Sequence, residues 1–267
     1  MATNDLEKRM KEYEYVTRTY LTRRTPVIIR IDGKAFHTFT KKFNKPFDDI
    51  MVSAMQDTMK YLCENIEGCV MGYTQSDEIT LILCDYKKIA SQAWFDDNIQ
   101  KMCSVSASMA TMAFNRAFKK RVKEYLSSTD NANIASADVY EKAINMGAMF
   151  DSRVFNIPKE EVNNCLLWRQ IDATRNSIES VAQAHFPHKM LHKKNTNMLQ
   201  DLLWTEKNIN WNDTPTHLKR GSCCVKKSET FTRDDGVTYT RNKWTIDMEP
   251  PIFSRDTSYV NDRINFE

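Results

Sequence analysis

The chain predicts an α+β fold: a ferredoxin-like β-α-β-β-α-β antiparallel sheet with helices on one face, plus a C-terminal α/β extension. Three observations lead there. Apolar, β-branched runs bounded by turn residues recur at 26–32, 69–73, 79–83 and 148–156. Segments with apolar residues three or four apart lie between the first and second runs and between the third and fourth. The second and third runs are joined by a connection short enough for a hairpin. Strand, helix, hairpin, helix, strand is the order of such a sheet.

Residues 5–20 mix charged and aromatic side chains and read as a short amphipathic helix leading into the first strand. Lys34 to Phe39 reads as a turn or short helix, broken by Lys45-Pro46-Phe47-Asp48-Asp49. Asp48 suits the N-cap of a helix running to about Asn65, with Met51, Met55, Met59 and Leu62 on one face. Cys69 to Tyr73 and Ile79 to Leu83 form a hairpin with an acid at its tip. The next helix, 99–118, spaces Met102, Ser106, Met109 and Ala113 three or four apart, and its small residues let it lie close on a sheet. Phe150 to Phe155 is the fourth strand. Helices follow at 160–186 and about 195–207, then strand pieces around 221–226 and 237–246, a Pro250-Pro251 stop and a polar tail. No linker cleanly separates 1–145 from 146–267.

Composition narrows the function. With 267 residues, 27% charged and 41% hydrophobic, the chain can bury a real core and is neither disordered nor fibrous. No apolar run reaches the roughly 20 residues of a membrane span, and the start has no signal-peptide stretch, so a cytoplasmic protein with no membrane partner is expected. Seven cysteines without paired CxxC spacing argue against a disulfide framework and against a zinc knuckle. A net charge of +3 does not by itself demand nucleic acid; the clustering of basic residues carries more information.

The first strand has little reason to end in Asp32-Gly33 unless that end is exposed or does chemistry. Ser76-Asp77-Glu78 sits at the hairpin tip. Two acids brought together there make a site for hard divalent cations, which hold phosphates. On this sheet that is the arrangement of polymerase palms and nucleotidyl cyclases. It points to nucleotidyl transfer with two Mg2+ ions. Gly33 admits close approach of metal or phosphate, and the amides of Lys34, Ala35, Phe36 and His37 are placed to hold phosphates. On spacing alone the same segments also read as ordinary turns. Glu78 reads as a solvated charge or a ligand, Lys45 and Lys101 as surface residues or triphosphate contacts, and His37 as a base-stacking ring or a half-buried one. His188 and His192 have zinc spacing, but no nearby residue completes a shell. Basic clusters at 119–123, 188–194 and 219–221 with Lys226-Lys227, interleaved with Trp168, Trp204, Trp211 and Phe186, suit RNA backbone contact.

Together, Arg30-Ile31-Asp32-Gly33-x-x-Phe36-His37-x-Phe39, Lys45-Pro46-x-Asp48 and Tyr73-x-Gln75-Ser76-Asp77-Glu78 resemble the tRNA(His) guanylyltransferase superfamily, whose members add nucleotides to RNA 5′ ends in the 3′–5′ direction. Phe150-Asp151-x-Arg153-Val154, Trp168-Arg169-Gln170-x-Asp172, Ile209-Asn210-Trp211-Asn212 and Arg220-Gly221 follow in order, so the resemblance spans about 14–221. It implies a palm-like catalytic core over 1–145, with Asp32, the Gly33 carbonyl and Asp77 holding two Mg2+ and with Asp32, Asp77 and Glu78 as its acids. It implies nucleotide contacts from Asp32 through His37 and from Ser76-Asp77, and triphosphate contacts from Lys45 and Lys101, with ATP or GTP as substrate. Residues 146–267 would complete the sheet and add tRNA-binding elements; His188, Lys189, Lys193, Lys194, Lys219 and Arg220 are the RNA-binding candidates by charge. A homotetramer, built as a dimer of dimers, is implied as well. Where guanylyltransferases proper carry His-Ile-Asn-Asn-Leu-Tyr-Asn, this chain reads Thr174-Arg175-Asn176-Ser177-Ile178, and Asn98 replaces an arginine expected near the triphosphate. The expected activity is therefore template-directed repair of tRNA 5′ ends, as in the guanylyltransferase-like branch of bacteria and archaea. Strict addition of one G to tRNA(His), a cyclase needing no RNA, and a non-catalytic RNA-binding palm protein are the alternatives.

Overall fold

The structure is a computed structural model and describes residues 2–128, 134–233 and 237–266. The helix α1 (Ala2–Tyr15) leads in, exposed along the part whose side chains are described. Next come β1 (Val27–Gly33) and the one-turn α2 (Phe36–Phe39). α3 (Asp49–Asn65) is capped as its sequence predicts: the Asp48 side chain accepts the amide of Met51 at 2.9 Å. β2 (Cys69–Gln75) and β3 (Glu78–Leu83) form the hairpin. α4 (Ile99–Ser128) and α5 (Ile134–Met146) carry the chain to β4 (Phe150–Asn156).

The sheet has six strands in the order β4-β1-β3-β2-β5-β6, where β5 is Ser222–Thr232 and β6 is Thr238–Asp247. Each strand runs antiparallel to its neighbours. Since β3 opposes both β1 and β2, those two are parallel, which is why α3 must cross between them.

Successive residues of a strand face opposite sides, and both sides of this sheet are apolar. Val27, Ile29 and Ile31 pack with α3 and α4 through Met55, Met59, Phe114 and Phe118. Ile28, Met71, Tyr73 and Ile82 form a second core with Val162, Leu166, Phe253, Val260 and Ile264. The core helices α3 and α4 thus lie on one face, and the C-terminal extension covers the other with α6 (Val162–His185) and α10 (Ser258–Ile264). The reason was present in Val27-Ile28-Ile29, three apolar residues in succession. A strand wet on one side alternates, whereas a continuous apolar run needs cover on both.

Three features depart from the expectation. α5 was not anticipated. β5 and β6 are longer than the strand pieces and pair over ten positions from Cys223 to Thr232. The tail is not simply polar: Phe253, Val260 and Ile264 are almost fully buried, and Gln170 fixes the approach by donating to the Pro251 carbonyl and accepting from the Phe253 amide. Beyond α6 lie α7 (His188–Leu191), α8 (Thr196–Lys207) and α9 (Thr216–Arg220), with Leu199, Leu203 and Trp211 packed on Ile178 and Val181. Among the described residues no helix is long and apolar enough to cross a membrane.

Candidate functional site

β1 ends in Asp32, whose register partners are Glu78 on β3 and Asp151 on β4. The hairpin tip is tied to that end: the Gly33 amide donates to the Asp77 carbonyl at 3.1 Å. A two-residue turn, with Ser76 at φ 50°, then places Asp77 beside Asp32. Ser76 Oγ donates to Asp77 Oδ1 at 2.9 Å. Burial raises the Asp77 pKa, and the charge of Asp32 adds to that effect, while the Ser76 bond opposes it. A carboxylate made costly in this way is relieved by a cation.

Both acids open on a cleft of about 560 Å³. Gly33, Ala35, Phe36, His37, Lys45 and Ser76 line it with them, so eight of the predicted nucleotide-contacting positions share one cavity. The α3 residues Met51, Val52 and Met55 form one wall; Ala173, Asn176, Ser177 and Ser180 of α6 form another, with His217 and Leu218 of α9. Gly33 has a packing reason as well: a Cβ there would meet the Phe36 ring at 2.2 Å.

Three predicted residues are placed elsewhere. Lys34 is exposed, its amide held by the Met149 carbonyl at 2.9 Å. Glu78 is buried and faces away from the cleft lining, receiving a hydrogen bond from Arg169 Nη1 at 2.9 Å. Burial still raises its pKa, with Arg169 pulling the other way. Lys101 sits at the start of α4, its ammonium 5.9 Å over the Phe95 ring. It is separated by about 20 Å of helix from Phe114, the α4 residue that meets Phe36.

The charged candidates for RNA divide in two. His188, Lys189, Lys193 and Lys194 are exposed, and three of them border a second cavity of about 230 Å³. Lys219 is instead buried: its ammonium donates to the Asn212 carbonyl and lies 5.6 Å over Trp211, while Arg220 stacks on the same ring at 5.7 Å. The Arg220-Gly221 pair anchors backbone. Tyr73 donates to the Arg220 carbonyl at 2.6 Å, and Gly221, at φ 78°, leaves no room for a Cβ, which would stand 2.5 Å from the Thr74 carbonyl. Only glycine satisfies both conditions.

The α6 wall and His217 escaped the sequence reading. For the wall the sequence offered the segments Thr174–Ile178 and Ile209–Asn212 separately; the fold joins them, Trp211 Nε1 donating to Ser177 Oγ at 3.0 Å. For His217 there was no signal, because its cleft position depends on α9 folding back against α6 and the strands β2 and β5. Among the described residues no three or more His, Cys, Asp or Glu side chains converge as a metal cage.

A family model described as tRNAHis guanylyltransferase matches residues 7–158. An uncharacterized protein of Acanthamoeba polyphaga mimivirus is 32% identical, covering 97% of this chain and 87% of its own. Among solved structures, a bacterial tRNA(His) guanylyltransferase-like protein in complex with ATP superposes with a TM-score of 0.82 at 43% identity, covering 98% of this chain and 100% of that one. A bacterial guanylyltransferase-like protein in complex with GTP gives 0.76 at 39% identity, covering 97% and 98%.

Proposed function

This chain belongs to the tRNAHis guanylyltransferase family of nucleotidyltransferases, and from that premise we propose that it is a Mg2+-dependent 3′–5′ nucleotidyltransferase with a palm-like core that rebuilds tRNA 5′ ends on the template of the opposite strand. The observation that carries the reading is the pair Asp32 and Asp77, side by side at the mouth of a nucleotide-sized cleft. The donor set fits Mg2+: hard oxygens from two carboxylates and a carbonyl, with coordination left for substrate phosphates, is how that ion is usually held. Bound there, Mg2+ would offset the charge of the triphosphate and of the leaving group.

The chain's own residues supply position. Lys45 at the rim faces the triphosphate, the amides of Ala35, Phe36 and His37 hold phosphate oxygens, and the apolar α3 residues exclude water from the base. The chemistry has two stages. The 5′-phosphate of the tRNA attacks the α-phosphorus of ATP; the 5′ end becomes adenylylated and pyrophosphate leaves. The 3′-hydroxyl of an incoming NTP then attacks the activated 5′ phosphorus, AMP leaves, and the hydroxyl proton passes to solvent. On a 5′-triphosphorylated RNA the same attack expels pyrophosphate.

Repair rather than addition to tRNA(His) alone is supported by Thr174 to Ile178, which puts Asn176 and Ser177 on the cleft wall in place of the guanylyltransferase segment. RNA grip falls to His188, Lys189, Lys193 and Lys194. A tetramer is supported by Lys101: resemblance puts it on a triphosphate, its own cleft is far off, and another copy's cleft is where it can act.

The test supplies Mg2+, ATP and labelled NTPs with a tRNA lacking its first 5′ nucleotide, or with intact tRNA(His). Extension of the truncated tRNA, matched to the opposite base, is the expected result; G added to tRNA(His) alone would refute repair. In Asp77→Asn, incorporation is expected to fall by more than about 100-fold, whereas the melting temperature should hold or rise, since a costly buried charge is gone.

A further inference from the structure

His217 stands in the cleft wall with a ring nitrogen that nothing in the protein uses. Its Nδ1 is shut off from solvent and has no hydrogen-bond partner. Protonating both nitrogens would create a buried donor without an acceptor, so the ring stays neutral with its hydrogen on Nε2. Burial lowers its pKa in the same sense, against the nearby charges of Glu249 and Asp49. With Nδ1 enclosed, Nε2–H is the polar group this ring has left to offer a ligand.

The surroundings specify the ligand. The cleft that His217 lines also has the apolar Met51, Val52, Met55, Ala173 and Leu218 on its walls, with Gln56 and Ser180 among the polar points between them. Apolar walls with a few isolated polar tips suit a flat, uncharged heteroaromatic ring. A phosphate would sit badly there, with Asp49 and Glu249 close and Lys45 the one lysine or arginine on the cleft wall. Phosphate chemistry belongs to the Asp32–Asp77 end, and the base to this one.

We propose that His217 is a specificity-determining residue for the nucleotide, its Nε2–H donating to an acceptor on the edge of the base. This rests on the nucleotide-cleft reading above. Wild-type protein that bound no NTP would sink that reading before any variant was made.

The experiment measures GTP, ATP and inorganic tripolyphosphate binding by titration calorimetry for the wild type, His217→Phe and His217→Gln. His217→Phe keeps the ring volume without a donor and should weaken nucleotide binding about tenfold, the loss of one buried hydrogen bond, with tripolyphosphate unchanged. Gln restores a donor and should recover most of the affinity. Unchanged nucleotide affinity in His217→Phe, or equal loss for tripolyphosphate, overturns the proposal. On the unsubstituted protein, GTP analogues lacking N7 or O6 are compared as well. One of the two should lose affinity by a similar factor, and equal binding of both with GTP also overturns it.

Discussion

Arg169 and Glu78 show how a third acid can stand next to Asp32 and Asp77 without lining their cleft. Glu78 pairs with Asp32 across the sheet, yet both Glu78 and Arg169 are less than one-tenth exposed, and the guanidinium also reaches Asp172 at 3.6 Å. The ion pair balances the acid's charge and ties α6, hence the cleft wall, to the strand bearing the hairpin tip. Removing one member leaves the other charged and buried, which costs about 3–5 kcal/mol. Arg169→Met should therefore lose that much in urea unfolding, while Arg169→Met with Glu78→Leu should lose markedly less. A single substitution costing under about 1 kcal/mol would show that solvent reaches the pair. At this scale the sequence revealed the acids, because a charged residue ending an apolar strand stands out. It did not reveal that Glu78 has a private partner, since that depends on which strand face α6 covers.

Among the elements, the segment between β3 and α4 carries the clearest unresolved charge. Asp97 is buried, at φ 62°, in line with Phe95 and Asp96 at φ 52° and 53°. Arg23 Nε serves both Asp85, at 3.1 Å, and Asp97, at 3.6 Å, leaving Asp85 Oδ1 and Asp97 Oδ2 without hydrogen bonds. Burial, with Asp85 next, pushes the Asp97 pKa up to about 6. The folded state thus holds this proton more tightly than the unfolded chain. The resulting stability is present below the ordinary carboxylate value and is lost as pH rises to about 6. Asp97→Asn should flatten the stability profile between about pH 4 and 6 and add on the order of 2 kcal/mol at pH 7, measured by urea unfolding across pH. An unchanged profile would place the titration elsewhere. Elements were legible where the pattern is local: the Asp48 cap, the α3 stripe and the hairpin could all be read off. α5 and α10 were not, because they are short, 13 and 7 residues, and their apolar positions acquire meaning only against cores built by distant residues.

Across the whole molecule, the positions that resemblance assigns to one reaction are spread over both ends of the subunit. Asp32 and Asp77 stand at one end of β1, and Lys101 near the other. If subunits share sites, Asp77→Asn and Lys101→Ala are each inactive alone, and mixed tetramers of the two regain up to about a quarter of wild-type incorporation, as expected when some clefts draw both intact residues. No recovery after demonstrated subunit exchange would confine each site to one chain. Topology was readable as far as β4, because strand, helix and hairpin alternate there. The docking of β5 against β2, about 150 residues earlier in the chain, leaves no local trace in the sequence.

That β2–β5 pairing, and the burial of Phe253, Val260 and Ile264 behind it, also bear on how the protein is made. During synthesis the first four strands can assemble against α3 and α4, but the back of the sheet stays bare until the segments around α6 and α10 have emerged. A nascent chain at that stage presents Ile28, Met71 and Ile82 to its surroundings, along with the open edge of β2. Long-range closure of this kind is slow, and an open strand edge invites pairing with neighbours. A chain held at that stage carries the exposed apolar surface and open edge that make folding intermediates prone to aggregate.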